Sequence, residues 1–269
     1  MHPSPINIQA IPPALPFSIC TLVSDRSQYA AMGESFLAGG FGAGVAEYLY
    51  LDNSQGNRFD AYAGMAMLMG RATGRHVILC HQDVRLLTDG VDALVARLTE
   101  LDALDPLWAL AGNAGGLPDG TLAECISDPH GEDRRSQPLP ARVESLDENF
   151  IVWRRESPIG LSTDIGGFDL YGADLCLHAR MAGRTAWVMD FHLRHLSPGN
   201  KDAEFLHGQR RFEDRHARHF AKGLRIRTTC ARLWVGGNAM ERALARWAVA
   251  RRLVRHARRA ITTPGRGTA

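Results

Sequence analysis

The chain has 269 residues, 45% hydrophobic and 22% charged, which excludes a disordered or low-complexity protein and leaves room for one large α/β domain or two small ones. Its net charge of +2 hides two regimes: residues 225–259 hold ten arginines against the single acid Glu241, a local +9, so the other 21 basic and 28 acidic residues amount to −7. No apolar run approaches the roughly 20 residues of a membrane span, and five scattered cysteines without a CxxC pair argue against a disulfide frame or a zinc knuckle and for a reducing cytoplasm.

The first 16 residues read as a Pro-rich leader without the basic start and cleavage site of a signal peptide. FSICTLVS (17–24) has the composition of a strand, and 26–38 that of a helix stopped by Gly39 and Gly40. AEYLYLDN (46–53) is a second strand, followed by a helix with Tyr62, Ala66 and Met69 on one face. HVILC (76–80) is a third, and its unbroken apolar run suits a sheet covered on both faces. Val91, Leu94, Val95, Leu98 and Leu101 recur at helical spacing, and WALAGNAGG (108–116) reads as a fourth strand entering a Gly-rich turn. Residues 117–142, rich in Gly, Pro, Asp and Arg, read as a loop-rich or mobile segment. Strand character returns over 143–156, a loop leads into a helix that ends at Gly183, and TAWVMDFHLRHLS (185–197) is a strand closing on His195.

Alternating strands and helices predict a parallel sheet with right-handed crossovers. With no repeat and no clear linker, the expected organisation is one globular domain over 17–205 and a helical, Arg-rich extension over 206–269. In that extension Met240, Leu244, Trp247, Val254 and Ile261 form one stripe of a basic helix at 238–261. It suits either packing on the domain or contact with an anionic membrane surface. Nucleic acid is not an expected partner, since the rest of the chain is acidic and carries no recognised nucleic-acid module.

Polar clusters stand at three expected strand ends: Asp52-Asn53-Ser54, His81-Gln82-Asp83 and His195-Leu196-Ser197. Singly, each reads as a turn, a cap or a structural histidine. Together they place a carboxylate and imidazoles where open α/β sheets bind ligands. Such a set can hold Mn²⁺ or Mg²⁺, with water and substrate phosphate completing the shell. GGFGAG (39–44) looks like a dinucleotide fingerprint but precedes a strand instead of opening a helix, which argues against a cofactor loop.

The order LDNS (51–54), Tyr62-Ala63-Gly64, ILCHQDV (78–84), GGFD (166–169) before YGADLCLHARMAG, and RHLSPG (194–199) resembles the family-2-like glycosyltransferases of GT-A fold. The likeness covers roughly 17–200 and is greatest to the subgroup typified by a streptomycin-biosynthesis protein, in which HQD replaces DxD. It implies a mixed, mostly parallel sheet flanked by helices, and transfer of a sugar, with inversion, from a nucleotide-diphosphate donor to a glycan, lipid-linked or small-molecule acceptor. It implies that Asp83 and His195 contact the metal, that His81 contacts ribose or, through water, the metal, that Gln82 and Asp83 are among the residues binding the nucleotide sugar, and that Asp52, Asn53 and Ser24 bound the base and ribose. Gly115 and Gly116 would let backbone approach the donor sugar, and 166–169 would be an acceptor-side loop.

The family's catalytic Asp lies eleven residues before the Gly that ends the following helix, and that position here is Gly172. Asp174, two residues on, is the first replacement, with Asp169 and Asp164 as others; Asp174 also suits a plain helix cap. Two readings of other classes stand beside the transferase. One is a non-catalytic sugar-nucleotide or glycan-binding module without the base. The other is a membrane-peripheral adaptor working through the basic helix at the inner face of a membrane.

Overall fold

A computed structural model describes residues 15–199, 202–238, 240, 241, 243 and 244. In chain order the elements are β1 (Phe17–Val23), α1 (Arg26–Ala38), β2 (Ala46–Asp52), α2 (Ala61–Arg71), β3 (His76–Cys80), β4 (Val84–Leu86), α3 (Val91–Leu104), β5 (Trp108–Gly112), β6 (Ala114–Gly116), β7 (Leu122–Asp128) and β8 (Gly131–Ser136). There follow β9 (Ala141–Val143), β10 (Ser145–Leu146), β11 (Phe150–Arg154), α4 (Tyr171–Met181), β12 (Thr185–Val188), β13 (Leu193–His195), α5 (Ala203–His216), β14 (Leu224–Arg227) and β15 (Arg232–Val235).

The main sheet has seven strands in the order β2-β1-β3-β11-β5-β12-β9. β1, β2 and β3 are parallel, β11 is antiparallel to both β3 and β5, and β12 is parallel to β5, so only β11 and β9 oppose the common direction. This is the mixed, mostly parallel sheet flanked by helices that the GT-A resemblance implied. Residue period explains its two covered faces. Ile78 and Cys80 of β3, with Phe150 and Val152 of β11, face a core closed by Met32 and Phe36 of α1 and Leu94, Leu98 and Leu101 of α3. Val77, Leu79, Ile151 and Trp153 face the opposite core, closed by α2, α4 and α5. Both faces of β3 are buried, hence its continuous apolar run.

A second sheet, β10-β6-β7-β13-β4 with β8 on β7, grows directly from the carboxyl ends of β3, β5 and β12. Two expected strands are therefore divided between sheets. Residues 108–116 break at Asn113, and Gly115 and Gly116 lie within β6 instead of a turn; residues 185–197 break over Met189–His192. Segment 117–142 is not loop-rich: it forms the β7–β8 hairpin and the start of β9, its polarity reflecting an edge strand, β8, with no buried residue. Val95 is exposed, so the buried stripe of α3 is Leu94, Leu98 and Leu101.

The expected boundary at 205/206 falls inside α5. Phe205 and Phe212 of that helix, with Ile226, Leu233 and Val235 of the β14–β15 hairpin, enter the same core as α2 and α4. Most of the basic helix expected at 238–261 lies outside the described residues.

Candidate metal centre

Three connections leave the main sheet for the second one at a single edge, and they build the site. His81, Gln82 and Asp83 span the three residues between β3 and β4. β13 pairs antiparallel with β4, with His195 opposite Val84, and the Leu196 N–H donates to the Asp83 carbonyl at 3.1 Å. That register brings together residues far apart in sequence. His195 Nε2 lies 3.4 Å from Asp83 Oδ1 and 3.4 Å from His81 Nδ1, and one ligand atom from each residue falls within 4.8 Å of the others. All three side chains are partly buried.

Electrostatics set the three members of the trio apart. Burial opposes the Asp83 charge, but hydrogen bonding and charge from His195 outweigh it and hold the carboxyl below its ordinary value. Burial likewise opposes protonation of His195, yet Asp83 overrides it and raises the imidazole. His81 is pushed down, first by burial and then by His195, and so stays neutral with a lone pair to offer. One carboxylate oxygen and two imidazole nitrogens, half-open to solvent, fit a divalent ion with room for further oxygen ligands.

The other residues singled out in the sequence divide by what they touch. Gln82 is a tie across the strand ends: its Oε1 accepts the N–H groups of Ser24 and Asp25 at 2.9 Å each, and its Nε2 donates to Ser24 Oγ at 2.8 Å. Asp52 accepts the Ser54 N–H at 2.9 Å and pairs with Arg26, and these bonds from Ser54 and then Arg26 hold it well below the usual carboxylate range. Asn53 is buried and spends its amide on its own loop, accepting from Arg58 and Phe59 N–H and donating to the Phe59 carbonyl. Ser24, Asp52 and Asn53 thus stand at the same edge as the trio, ending or following β1 and β2.

Asp174 belongs elsewhere. It is fully buried, and its oxygens accept from Ser162 N and Ser162 Oγ at 2.8 Å each and from His216 Nε2 at 2.6 Å. His178 completes this second group, donating from Nδ1 to the Gly160 carbonyl. Asp174 makes no cap either: α4 starts after Leu170, which is left-handed, and has no side-chain cap bond. Each of its oxygens is bonded and neither is exposed, an arrangement that anchors α5 through His216 and does not present Asp174 to an acceptor, against its expected role as base. Asp164 is exposed and bound by Arg215. Asp169 is half-buried and raised, by burial and then by the charges of Asp202 and Glu204.

The sequence reading missed Asp147 and Glu148. Phe150 pairs with Cys80, and the His81 N–H donates to the Asn149 carbonyl at 3.0 Å, so 147–149 runs alongside 81–83. Asp147 is tied by Asn149 and Thr229, and its charge acts on both His81 and His195. The available signal was an acidic pair at the head of a strand, LDENF, which equally describes a turn.

Fold and site define a mixed α/β protein whose carboxyl sheet edge gathers one carboxylate and two imidazoles. The chain belongs to the family of the ATP synthase subunits region ORF 6 protein of Fuscovulum blasticum, to which it is 39% identical over 248 residues, 90% of this chain and 99% of that one. No family model matches. Among solved structures it is similar to GalNAc-T7 with UDP, GalNAc and Mn²⁺ (10% identical, TM-score 0.47, 68% of this chain and 44% of that one). It is also similar to the mannosyltransferase PcManGT from Pyrobaculum calidifontis in complex with GDP-Man and Mn²⁺ (13%, TM-score 0.46, 79% and 64%) and to S. aureus TarS (10%, TM-score 0.43, 77% and 44%). The chain thus spans less than two thirds of each of these three structures. The likenesses are distant.

Proposed function

We propose that the protein is a metal-dependent, family-2-like glycosyltransferase that moves a sugar from a nucleotide-diphosphate donor to an acceptor with inversion, as the HQD resemblance suggests. The observation that carries this reading is the convergence of His81, Asp83 and His195 within 4.8 Å at the carboxyl edge of the sheet. These residues would hold Mn²⁺ or Mg²⁺, the two nitrogens favouring Mn²⁺. When bound, the ion would neutralise charge building on the departing diphosphate. Asp52, Ser24 and the 53–59 loop would bound the nucleotide, with Gln82 fixing Ser24. Among the described residues no helix is long and apolar enough to cross a membrane. A cytoplasmic enzyme touching an anionic membrane through 238–261 would reach a lipid-linked acceptor.

The burial of Asp174 favours one second reading, a binding module that takes the donor without transferring it. Thermal shift with UDP, GDP and the corresponding nucleotide sugars, with and without Mn²⁺, tests the donor site. A nucleotide at 100 times its dissociation constant stabilises by about 2.7 kcal/mol. That shift is expected only with the metal and should vanish in Asp83→Asn. Nucleotide shifts indifferent to Mn²⁺ and to Asp83→Asn would refute the metal-dependent site, while Mn²⁺-dependent shifts without any turnover would favour the binding module.

A further inference from the structure

We infer that Glu148, from the β10–β11 loop, is the carboxylate that deprotonates the acceptor, standing in for the side chain that Gly172 lacks. The inference rests on the donor-site reading above. Glu148 Oε1 accepts the Gly172 N–H at 3.0 Å, and a Cβ built on Gly172 would lie 3.2 Å from that same oxygen. It would also lie 2.4 Å from the Leu146 carbonyl, so the fold forbids any side chain at 172 while the neighbouring loop delivers a carboxylate to the space.

Three further observations single Glu148 out. Oε1 is anchored by the Gly172 N–H, and among the described residues no side chain bonds the carboxylate, although the residue is partly buried. The Tyr171 hydroxyl donates to the Glu148 carbonyl at 3.0 Å, fixing the loop against α4. The bond from His81 N–H to the Asn149 carbonyl puts the backbone of this loop at the edge where the donor would lie, with the Glu148 carboxylate turned to the start of α4. By contrast Asp174 is saturated and sealed, and Asp164 is bound to Arg215. Burial, then the charge of Asp147, pushes the Glu148 carboxyl up to about 8, which gives it the proton affinity a general base needs.

The step balances within the site. The acceptor hydroxyl gives its proton to Glu148 Oε2, and the oxygen's electron pair forms the bond to the sugar's anomeric carbon. The bond from that carbon to the phosphate oxygen breaks, its pair leaving with the nucleotide diphosphate. The protonated Glu148 then returns its proton to solvent.

Water can serve as acceptor, so release of UDP or GDP from UDP- and GDP-sugars in the presence of Mn²⁺ supplies the assay. In Glu148→Gln, release is expected to fall by 10² or more, the range a general base contributes, while Mn²⁺-dependent UDP or GDP affinity by calorimetry stays within threefold. In Glu148→Ala, azide, a nucleophile with no proton to surrender, should restore release and yield a glycosyl azide detectable by mass spectrometry. Release in Glu148→Gln within threefold of wild type overturns the inference and leaves the donor site standing. Release absent from the wild type, with nucleotide binding intact, overturns it and favours the binding module. Loss of nucleotide binding in the wild type defeats the donor-site reading itself.

Discussion

The molecule contains two groups made of the same parts, one carboxylate and two imidazoles, arranged to opposite effect. In the first, His81, Asp83 and His195 stand partly open at a sheet edge, with contacts of 3.4 Å, long for hydrogen bonds. In the second, Asp174 and His216 are fully buried and joined at 2.6 Å, and Ser162 supplies two further bonds to the carboxylate. Residue type alone does not separate a ligand site from a structural anchor. What separates them is how far the acceptor oxygens are already spent: a buried carboxylate that takes three close hydrogen bonds has little left for a cation or an acceptor, whereas a loosely met, partly exposed one has more.

The largest expected effect falls on the sealed group. Asp174→Ala strands the Ser162 N–H and hydroxyl and the His216 imidazole in the interior, and it should cost about 3–5 kcal/mol in urea unfolding. The fraction that stays folded should bind Mn²⁺ and nucleotide as the wild type does. Unchanged stability together with lost turnover would reverse the comparison and return Asp174 to the chemistry.

Glu148 offers the next test, because it is an acid that the fold leaves uncompensated. Asp147 and Asp169 face it with like charge, Tyr62, Tyr171 and Cys176 are the other titratable neighbours, and among the described residues its carboxylate is met by backbone alone, the Gly172 N–H and its own N–H. Its folded-state value of about 8 lies above the ordinary 4.5, so the folded protein holds this proton more tightly than the unfolded chain. The resulting stability is complete below pH 4.5 and is lost as pH rises through 8, a difference of at most about 5 kcal/mol. Glu148→Gln, which stays neutral, should flatten that loss, leaving melting temperature nearly unchanged at pH 5 and raised at pH 9. Parallel pH curves for variant and wild type would show that Glu148 is compensated after all.

These contrasts also mark what could be read in the chain. HVILCHQD stood out as a candidate site because an apolar strand buried on both faces ended without a turn residue, and the pairing of β4 with β13 then carried His195 to Asp83. The division of 108–116 and 185–197 between two sheets was hidden: Gly112-Asn113 reads as the start of a turn and not as a passage to a second sheet, the Met189–His192 link has no Gly or Pro, and hydrophobic pattern reports burial, not which sheet receives it. The β7–β8 hairpin was masked by the polarity of its outer strand. Asp174 looked chemical because its spacing fell near the expected base, while its sealing depends on His216 of α5, beyond the part of the chain where the resemblance runs. Glu148 was invisible for the converse reason, since its proximity to Gly172 is a tertiary fact.

Within the open group the comparison becomes finer. Asp83→Asn removes the one carboxylate among three donors and should weaken Mn²⁺ binding about a hundredfold, near 2.7 kcal/mol, as read by calorimetry. The metal-free protein should unfold at nearly the wild-type temperature, since the Asp83–His195 contact is loose. A large loss of metal-free stability with metal affinity preserved would place the trio with the anchors.

The smallest effect separates a ligand from its support one residue away. Gln82 lies between His81 and Asp83, yet its amide is committed to Ser24 and Asp25, joining the end of β3 to the end of β1. Gln82→Ala should therefore cost about 1 kcal/mol of stability, the net worth of exposed bonds of this kind. It should leave Mn²⁺ affinity within threefold of wild type, because the β4–β13 register that places Asp83 opposite His195 does not pass through the Gln82 side chain. A fall in Mn²⁺ affinity matching that of Asp83→Asn would mean that the amide turns inward to the cation, and that the strand-end tie is a resting arrangement given up on binding.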